Sequence, residues 1–452
     1  MMEEEIQATT TAELGLHTIM DIPIHVLFDI MLKLPAVSLI RCYSVCSKFK
    51  SIVSDSSFQQ SYFSKAPISF VVLSDRNHLT CIDSSQTLNP NSSDHHGSSC
   101  MAMQLQQQQP STSSSDSKRT KTITTTPTPI LHHHHQSSRF VSFQFHKRMN
   151  LINSSKGLLC LRASNHHSHS HYYICNPLLG EVLTVPPAPS PSDQHLCFSA
   201  FGFHPKTKTF KILQLVSKSN HLVAELYQSN SGGTTWSVIP NAPSAKPKAN
   251  SSFDPELNDA LHWVTDGGIS ELIYSFDLNS NKFKSMPCPS HFINEYVSKI
   301  SGMSVGVLKG CLCLCYVVEG TRFETWLMDK YGVKESWRMA FSINIKSYCG
   351  WNPQDKHRPI GFNSCGDMWL IADSDSHSSS QGLVSFSPET GVFRNVDIGG
   401  AASNIQATPQ VLSYVTIKQM LNIRRRQHHL HKLSSGEKYA LGFNFFLLEN
   451  FG

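Results

Sequence analysis

The sequence predicts a small all-α module followed by a large all-β, propeller-like domain that carries a disordered insertion. Three observations lead there. A stretch near the N-terminus repeats apolar residues at helical spacing, a later tract is nearly devoid of large apolar residues, and the remainder is a succession of short strand-like runs separated by turn chemistry.

The helical stretch begins at residue 22 and reads IPIHVLFDIMLKLPAVSLIRCYSVCSKFKSIVSDSSF. Val26, Leu27, Ile30, Met31 and Leu34, then Val37, Ile40, Val45, Phe49, Ile52 and Val53, recur at the spacing of a helix. Pro35 ends the first helix and lets a second begin at once. So short a piece is too small to bury this surface within itself, because below about 40 residues a lone core rarely offsets chain entropy. The module is placed at residues 20–64, after an acidic stretch, 1–19, expected to be disordered, and its apolar face calls for a partner surface.

Residues 65–83, with ISFVVL at 68–73, read as the first strands of the β domain. Residues 84–138, including QLQQQQPSTSSSDSKRTKTITTTPTP and HHHHQSS, hold too few large apolar residues to order a core. The tract is therefore an insertion within the β domain rather than a linker before it. The domain resumes over 139–420, and 421–452 is a basic tail with a terminal strand or helix.

Runs such as GLLCL, FKILQLV, LIYSFD, CLCLCYVV and MWLIA are rich in β-branched or aromatic residues and bounded by Gly, Pro, Asn, Asp or Ser, as strands are. A local pattern also recurs. An apolar residue and a polar turn-former are followed, six positions after the turn-former, by another apolar residue: Cys175-Asn176 to Val182, Phe203-His204 to Phe210, Phe276-Asp277 to Phe283 and Phe386-Ser387 to Phe393. The intervening letters favour tight turns, because Pro presets φ while Gly and Asn tolerate positive φ. Four alike hairpins in a large all-β domain indicate radial repetition, a propeller, over a sandwich. Their uneven spacing gives no blade number.

Composition narrows the function classes. A net charge of +5 on 452 residues makes no case for nucleic acid. Thirteen cysteines with no CxxC pair argue against a disulfide framework or zinc ribbon and for reduced buried thiols. The N-terminus has no apolar signal segment and no run reaches the ~18 residues that cross a bilayer, so a soluble protein of the cytoplasm and/or nucleus, without membrane contact, is expected. The sequons at Asn91, Asn153 and Asn250 accordingly carry little meaning.

At this point the residues carry a resemblance. The first helical stretch resembles an F-box, whose usual form is Leu-Pro-x-x-Leu-Leu-x-Glu-Ile-Leu-x-Arg-Leu-Pro: Ile22, Pro23, Val26, Leu27, Asp29, Ile30, Met31, Lys33, Leu34 and Pro35 fall in register. Leu39, Arg41, Val45, Cys46, Lys50 and Phe58 match its second half. Phe49 stands where most members carry Trp, and the lost area, at ~25 cal/mol per Å2, weakens adaptor binding by roughly 1 kcal/mol. SSKGLLCL, CNPLLGEVLTVPP, FGFHPKTKTFKILQL, DALHWVTDGGISELIYSFDLNSNKF and ETWLMDKYGVKESW, in this order, resemble the F-box-associated interaction domain of plant F-box proteins, which is similar to a kelch-like β-propeller.

The resemblance implies a substrate-recognition subunit of an SCF-type ubiquitin ligase. It would dock a Skp-type adaptor, and through it a cullin scaffold, by Pro23, Leu27, Ile30, Leu34, Pro35, Leu39, Val45 and Phe49. The β domain would hold a target protein whose identity and binding residues stay unknown. No catalytic residue, cofactor or metal is implied. The alternative is a propeller that binds or scaffolds without ligase activity.

Rival chemistry has thinner support. GMSVG, centred on Ser304, fits the form of a hydrolase elbow, but the residues after it read as a turn and another strand rather than a helix. Cys311, Cys313 and Cys315 share one strand face, yet side chains two apart on a flat strand diverge from a tetrahedral metal centre. His132 to His135 and the His166, His167, His169, His171 cluster lack neighbours that would orient their rings. Arg424, Arg425 and Arg426 form a short basic run. Trp236, Trp263, Trp326, Trp337 and Trp369 read as core, and the loops 229–234, 265–268 and around Lys330 to Gly332 are candidates for recognition.

Overall fold

The computed structural model describes residues 19, 22–34, 36–66, 68–74, 78–83, 139–145, 148–163, 170–190, 195–204, 206–219, 221–230, 233–249, 252–345, 356–362, 366–373, 382–396, 405–421, 430–432 and 443–446. The expected disordered N-terminus apart from Ile19, Pro35, the 84–138 insertion, His132 to His135, His166, His167, His169 and Arg424 to Arg426 lie outside the described residues.

Helices α1 (Ile24–Met31), α2 (Ala36–Val45), α3 (Ser47–Ser54) and α4 (Ser56–Lys65) precede six antiparallel sheets. Numbered in chain order and written from the innermost strand outwards, blade 1 is Ile405–Gln410, Ser69–Ser74, His78–Asp83 and Arg139–Phe145. Blade 2 is Met149–Ser155, Leu158–Ala163, His171–Asn176 and Glu181–Thr184, and blade 3 is His195–His204, Thr209–Lys218, His221–Asn230 and Gly233–Ile239. Blade 4 comprises Glu256–Leu257, Ala260–Val264, Ile273–Asp277 and Lys282–Met286, and blade 5 Ile300–Leu308, Cys311–Val318, Arg322–Met328 and Trp337–Asn344. Blade 6 is Lys356–Phe362, Met368–Asp373, Leu383–Ser387 and Val392–Val396. Leu430–Lys432 and Phe443–Phe446, from the tail, add fifth strands to blades 2 and 1.

Neighbouring blades touch through their inner strands all the way round, so the sheets form a six-bladed propeller. Ring closure joins the two ends of the domain. Ile405–Gln410 pairs antiparallel with Ser69–Ser74, with Val71 opposite Thr408, so blade 1 is completed by a strand that arrives last in the chain.

The strand Cys311–Val318 shows why some runs are apolar throughout instead of alternating. Leu312, Leu314 and Tyr316 pack with Val264 and Ile273 of blade 4, while Cys313, Cys315 and Val317 pack with Met368 and Leu370 of blade 6. Both faces of a blade are covered, so both face sets must be apolar. The four sequence-predicted hairpins are all present, with Cys175 opposite Val182, Phe203 opposite Phe210, Phe276 opposite Phe283 and Phe386 opposite Phe393. The three Phe pairs bring ring centroids to 4.9, 5.0 and 4.7 Å. Three of these hairpins join the third and fourth strands of a blade; that of Phe203 joins the first and second, which is why their spacing is uneven.

All five predicted core tryptophans lie in strands, Trp263, Trp337 and Trp369 buried and Trp236 and Trp326 half-buried. Trp236 and Trp337, each in the outermost strand of a blade, donate their indole N–H groups to the carbonyls of Pro186 and Pro287, both at 2.9 Å, tying the outer strand to the connection that precedes its blade. Asn153 of the second sequon is fully buried and bonded to both backbone groups of Phe201.

Candidate functional site

The helical module is built by local capping. The Pro23 carbonyl accepts from the Val26 and Leu27 N–H groups, and Lys48 Nζ pins the incoming chain at the Ile22 carbonyl, 2.9 Å away. Cys46 Sγ caps α3 at the Phe49 N–H, and the Asp55 carboxylate caps α4 at the N–H groups of Ser57 and Phe58, 2.9 and 3.0 Å away. The Ser57 hydroxyl and these N–H donors hold the Asp55 carboxyl below its ordinary pKa.

Helix α1 carries more apolar residues than one face can hold. Leu27 and Met31, one turn apart, are buried, and Phe28 meets the Phe58 ring edge to face with centroids 5.0 Å apart. Ile24, at the start of the helix, and Val26 and Ile30, off the buried stripe, are 56%, 38% and 45% exposed. On α2, Leu39 is buried, whereas Tyr43 and Val45 are exposed, Val45 at 68%. The result is an outward apolar surface on a module whose inner face is already filled.

That inner face belongs to the chain itself. Leu27, Leu39, Phe49, Ile52, Phe58 and Tyr62 form one core with Val71 and Leu73 of blade 1, Leu159 and Leu161 of blade 2, and Leu412 and Tyr414. Of the residues expected on an adaptor, Leu27, Leu39 and Phe49 are thus interior, Leu34 is half-buried against the same core, and Pro23, Ile30 and Val45 are exposed. Phe49 is 6% exposed, so its replacement of Trp bears first on this core. Ile24, Val26 and Tyr43 were absent from the expected set. For Ile24 and Val26 the signal is the width of the α1 stripe, which exceeds the single apolar face of a surface helix; Tyr43 lies on α2 and no such stripe marks it.

Antiparallel meanders place alternate connections on opposite ends of a blade. The turns between first and second strands, and between third and fourth, lie on the side of the module, whose α4 leads directly into Ser69–Ser74. The strand ends Asn230 and Gly233, which flank the candidate loop 229–234, and the turn Lys330 to Gly332 lie between third and fourth strands and so on this side, whereas 265–268 joins a second to a third strand and opens on the opposite side. The connections 240–249 and 287–299, which leave the outermost strands of blades 3 and 4, start on that opposite side.

The rival sites resolve into structure. Ser304 lies within the strand Ile300–Leu308, 2% exposed, and GMSVG makes no strand-to-helix elbow. Cys313 and Cys315 sit side by side with sulfurs 3.8 Å apart, and burial pushes the Cys313 thiol well above its ordinary pKa. Among the described residues no group of three or more His, Cys, Asp or Glu side chains is placed to hold a metal, and no helix is long and apolar enough to cross a membrane.

Comparison with known proteins follows the same division. The family described as F-box domain matches residues 19–61, and the F-box associated beta propeller domain matches residues 108–416. F-box protein At3g07870 of Arabidopsis thaliana is 26% identical over 290 residues, covering 54% of this chain and 65% of that protein. F-box/kelch-repeat protein At3g23880 of the same plant is 21% identical over 327 residues, covering 72% and 79%. The chain thus spans slightly under two thirds of the first relative's length. Among solved structures, Bombyx mori GH32 beta-fructofuranosidase BmSUC1 is similar with a TM-score of 0.34 and 10% identity over 56% of this chain and 63% of that one, too slight a likeness to carry an argument. With a helical F-box at its N-terminus and a six-bladed propeller matched over most of its length, the chain belongs to the plant F-box proteins with an F-box associated beta propeller domain.

Proposed function

We propose that this protein is the substrate-recognition subunit of an SCF-type ubiquitin ligase, working in the cytoplasm and/or nucleus. One observation carries the reading: Ile24, Val26, Ile30, Tyr43 and Val45 remain exposed on a module whose own core is complete. Apolar side chains gathered in this way on a small module mark a protein interaction surface. A Skp-type adaptor, linked in turn to a cullin, covers them together with Pro23, while Leu27, Leu39 and Phe49 hold the surface from beneath and Leu34 borders it.

The propeller presents a target protein on the side away from the helices, supported by the connections 240–249 and 287–299 that start there. The chain supplies proximity, raising the local concentration of a target lysine near the charged ubiquitin enzyme, and makes or breaks no bond itself.

Co-purification with a recombinant Skp-type adaptor tests this reading. Wild type should capture the adaptor, and the paired substitution Ile30→Asp and Val45→Asp should lower capture at least tenfold with an unchanged melting temperature. Equal recovery by both proteins, or none by either, removes the basis of the ligase reading and leaves a propeller that binds or scaffolds.

A further inference from the structure

A cavity of about 360 Å3 opens at the mouth of the central channel on the side of the helical module. The inner strands of blades 1, 2 and 4 wall it with Gln410, Ser155 and Glu256, while Phe63 of α4 and Ile68 close one flank. Its volume falls at the lower end of small-molecule sites.

The charged groups of the lining are mostly acidic. Asp254, Glu256 and Asp259 bring three carboxyl groups, against a single ammonium from Lys156, which sits on an exposed turn. Gln410 is 2% exposed and donates its Nε2–H to the Gly157 carbonyl at 2.9 Å, yet among the described residues its Oε1 has no hydrogen-bond partner. A buried acceptor without a donor is costly, and here it lies beside a cavity that has room for one.

We propose that this cavity binds a compact organic cation, an alkylammonium or guanidinium group, held by Glu256, Asp254 and the Gln410 carboxamide oxygen. Such a group brings a donor for the Gln410 oxygen and a counter-charge for the carboxylates. Phe63, Ile68 and Leu257 offer apolar surface to its alkyl stem. A metal ion fits less well, since among the described residues no three such ligands converge.

The electrostatics agree. Burial, then the neighbouring Glu256 charge, pushes Asp254 up to about 8. Burial pushes Glu256 up to about 7, against the Ser155 hydroxyl, the Lys156 ammonium and the Phe203 N–H, with Asp259 adding to the rise. The Cys313 thiol of blade 5 also lies near Asp254. Without a cation these carboxyls retain protons near neutrality, and a cation must displace them.

Isothermal titration of the full chain tests the site, using methylguanidinium chloride, a capped Ala-Arg-Ala peptide and neutral acetamide as probes at pH 8 and pH 6. At least one cationic probe should bind at pH 8, about tenfold more weakly at pH 6 where Glu256 is protonated, and acetamide should not bind. Tighter binding by the small cation identifies a free ligand, and tighter binding by the peptide identifies an arginine side chain of a protein. Glu256→Gln should weaken binding about tenfold or more. Lys156→Asn, which places the favoured Asn-Gly pair in that turn, should fold normally and tighten binding a few-fold. No saturable binding of either cation up to about 50 mM, equal affinity at both pH values, or an unchanged affinity in Lys156→Asn overturns the proposal. These readouts are independent of adaptor capture.

Discussion

The rings of Tyr62 and Tyr414 meet edge to face, with centroids 5.2 Å apart and planes at 70°. Tyr62 lies on α4 of the F-box and Tyr414 just beyond the strand that closes the ring, so this contact fastens the helical module to the point where the two ends of the propeller join. Asn176 reinforces the joint from blade 2, donating its side-chain N–H groups to the Ser413 and Val415 carbonyls at 3.0 and 2.9 Å. The Glu181 carboxylate accepts the Ile417 N–H at 2.8 Å.

Truncating Tyr414 to Ala should therefore cost about 3 kcal/mol, the usual cost of emptying a buried aromatic site, and should loosen the helices from the propeller as well as weaken ring closure. Tyr414→Phe should be neutral or stabilising by up to about 1 kcal/mol, since the buried hydroxyl has no hydrogen-bond partner among the described residues. Thermal melts, with limited proteolysis at the connection near residue 67, check both outcomes.

The two faces of α1 should separate stability from binding. Leu27→Ala empties a site that is 1% exposed and should cost about 2–5 kcal/mol. Ile30→Ala, at 45% exposure, should alter stability by no more than about 0.5 kcal/mol while reducing adaptor capture. Urea unfolding and adaptor pull-down on the same two variants make the comparison.

Stability should respond to pH through two opposed effects. His262 is fully buried, with Nδ1–H donating to the Pro255 carbonyl at 2.9 Å and Nε2 accepting from the Tyr331 hydroxyl at 2.8 Å; burial holds its pKa down at about 4. This folded value lies below the unfolded value of about 6.5, so the unfolded chain gains the proton first. The His262 contribution is intact above pH ~6.5 and is lost as pH falls towards 4. The destabilisation caused by His262→Gln should shrink by about 2 kcal/mol between pH 7 and pH 5. Asp254 and Glu256 act in reverse: their folded values, about 8 and about 7, exceed the unfolded ones, so their protonated forms cost stability as pH rises through this window. Glu256→Gln should thus gain on wild type more at pH 8 than at pH 5, read from denaturant midpoints.

Two glycines with nearly the same backbone angle should differ in their tolerance. Gly157 has φ +80°, and a Cβ there would strike Ser413 Cβ and come within 2.7 Å of the Val411 carbonyl oxygen. Gly332 has φ +79° and open space around it. Gly332→Ala should cost about 1 kcal/mol from backbone strain alone, and Gly157→Ala more, because the closing segment must shift as well. Melting temperatures of the two variants check the order.

Much of this architecture is written locally. The hairpins at Phe203 and Phe276 are legible because a few residues contain both the turn chemistry and the facing rings. The apolar wealth of α1 is equally plain, and it is what directs attention to a missing partner surface. Its division between inside and outside is not: Leu27 and Ile30 look alike at helical spacing, and only the packing of α4 and Tyr414 beneath one of them tells them apart. The cavity was invisible for the same reason, since Ser155, Glu256 and Gln410 are brought together from three separate blades.

By itself, then, the amino-acid sequence determined a helical module and an all-β domain built of short hairpins, because turn propensity and apolar periodicity act over a few neighbouring residues; the family was legible through the resemblance of its ordered motifs. Tertiary structure alone decided the number of blades, the closure of the ring by Ile405–Gln410 against Ser69–Ser74, and which apolar side chains remain outside. These depend on pairings between segments hundreds of residues apart, where no local pattern records the partner.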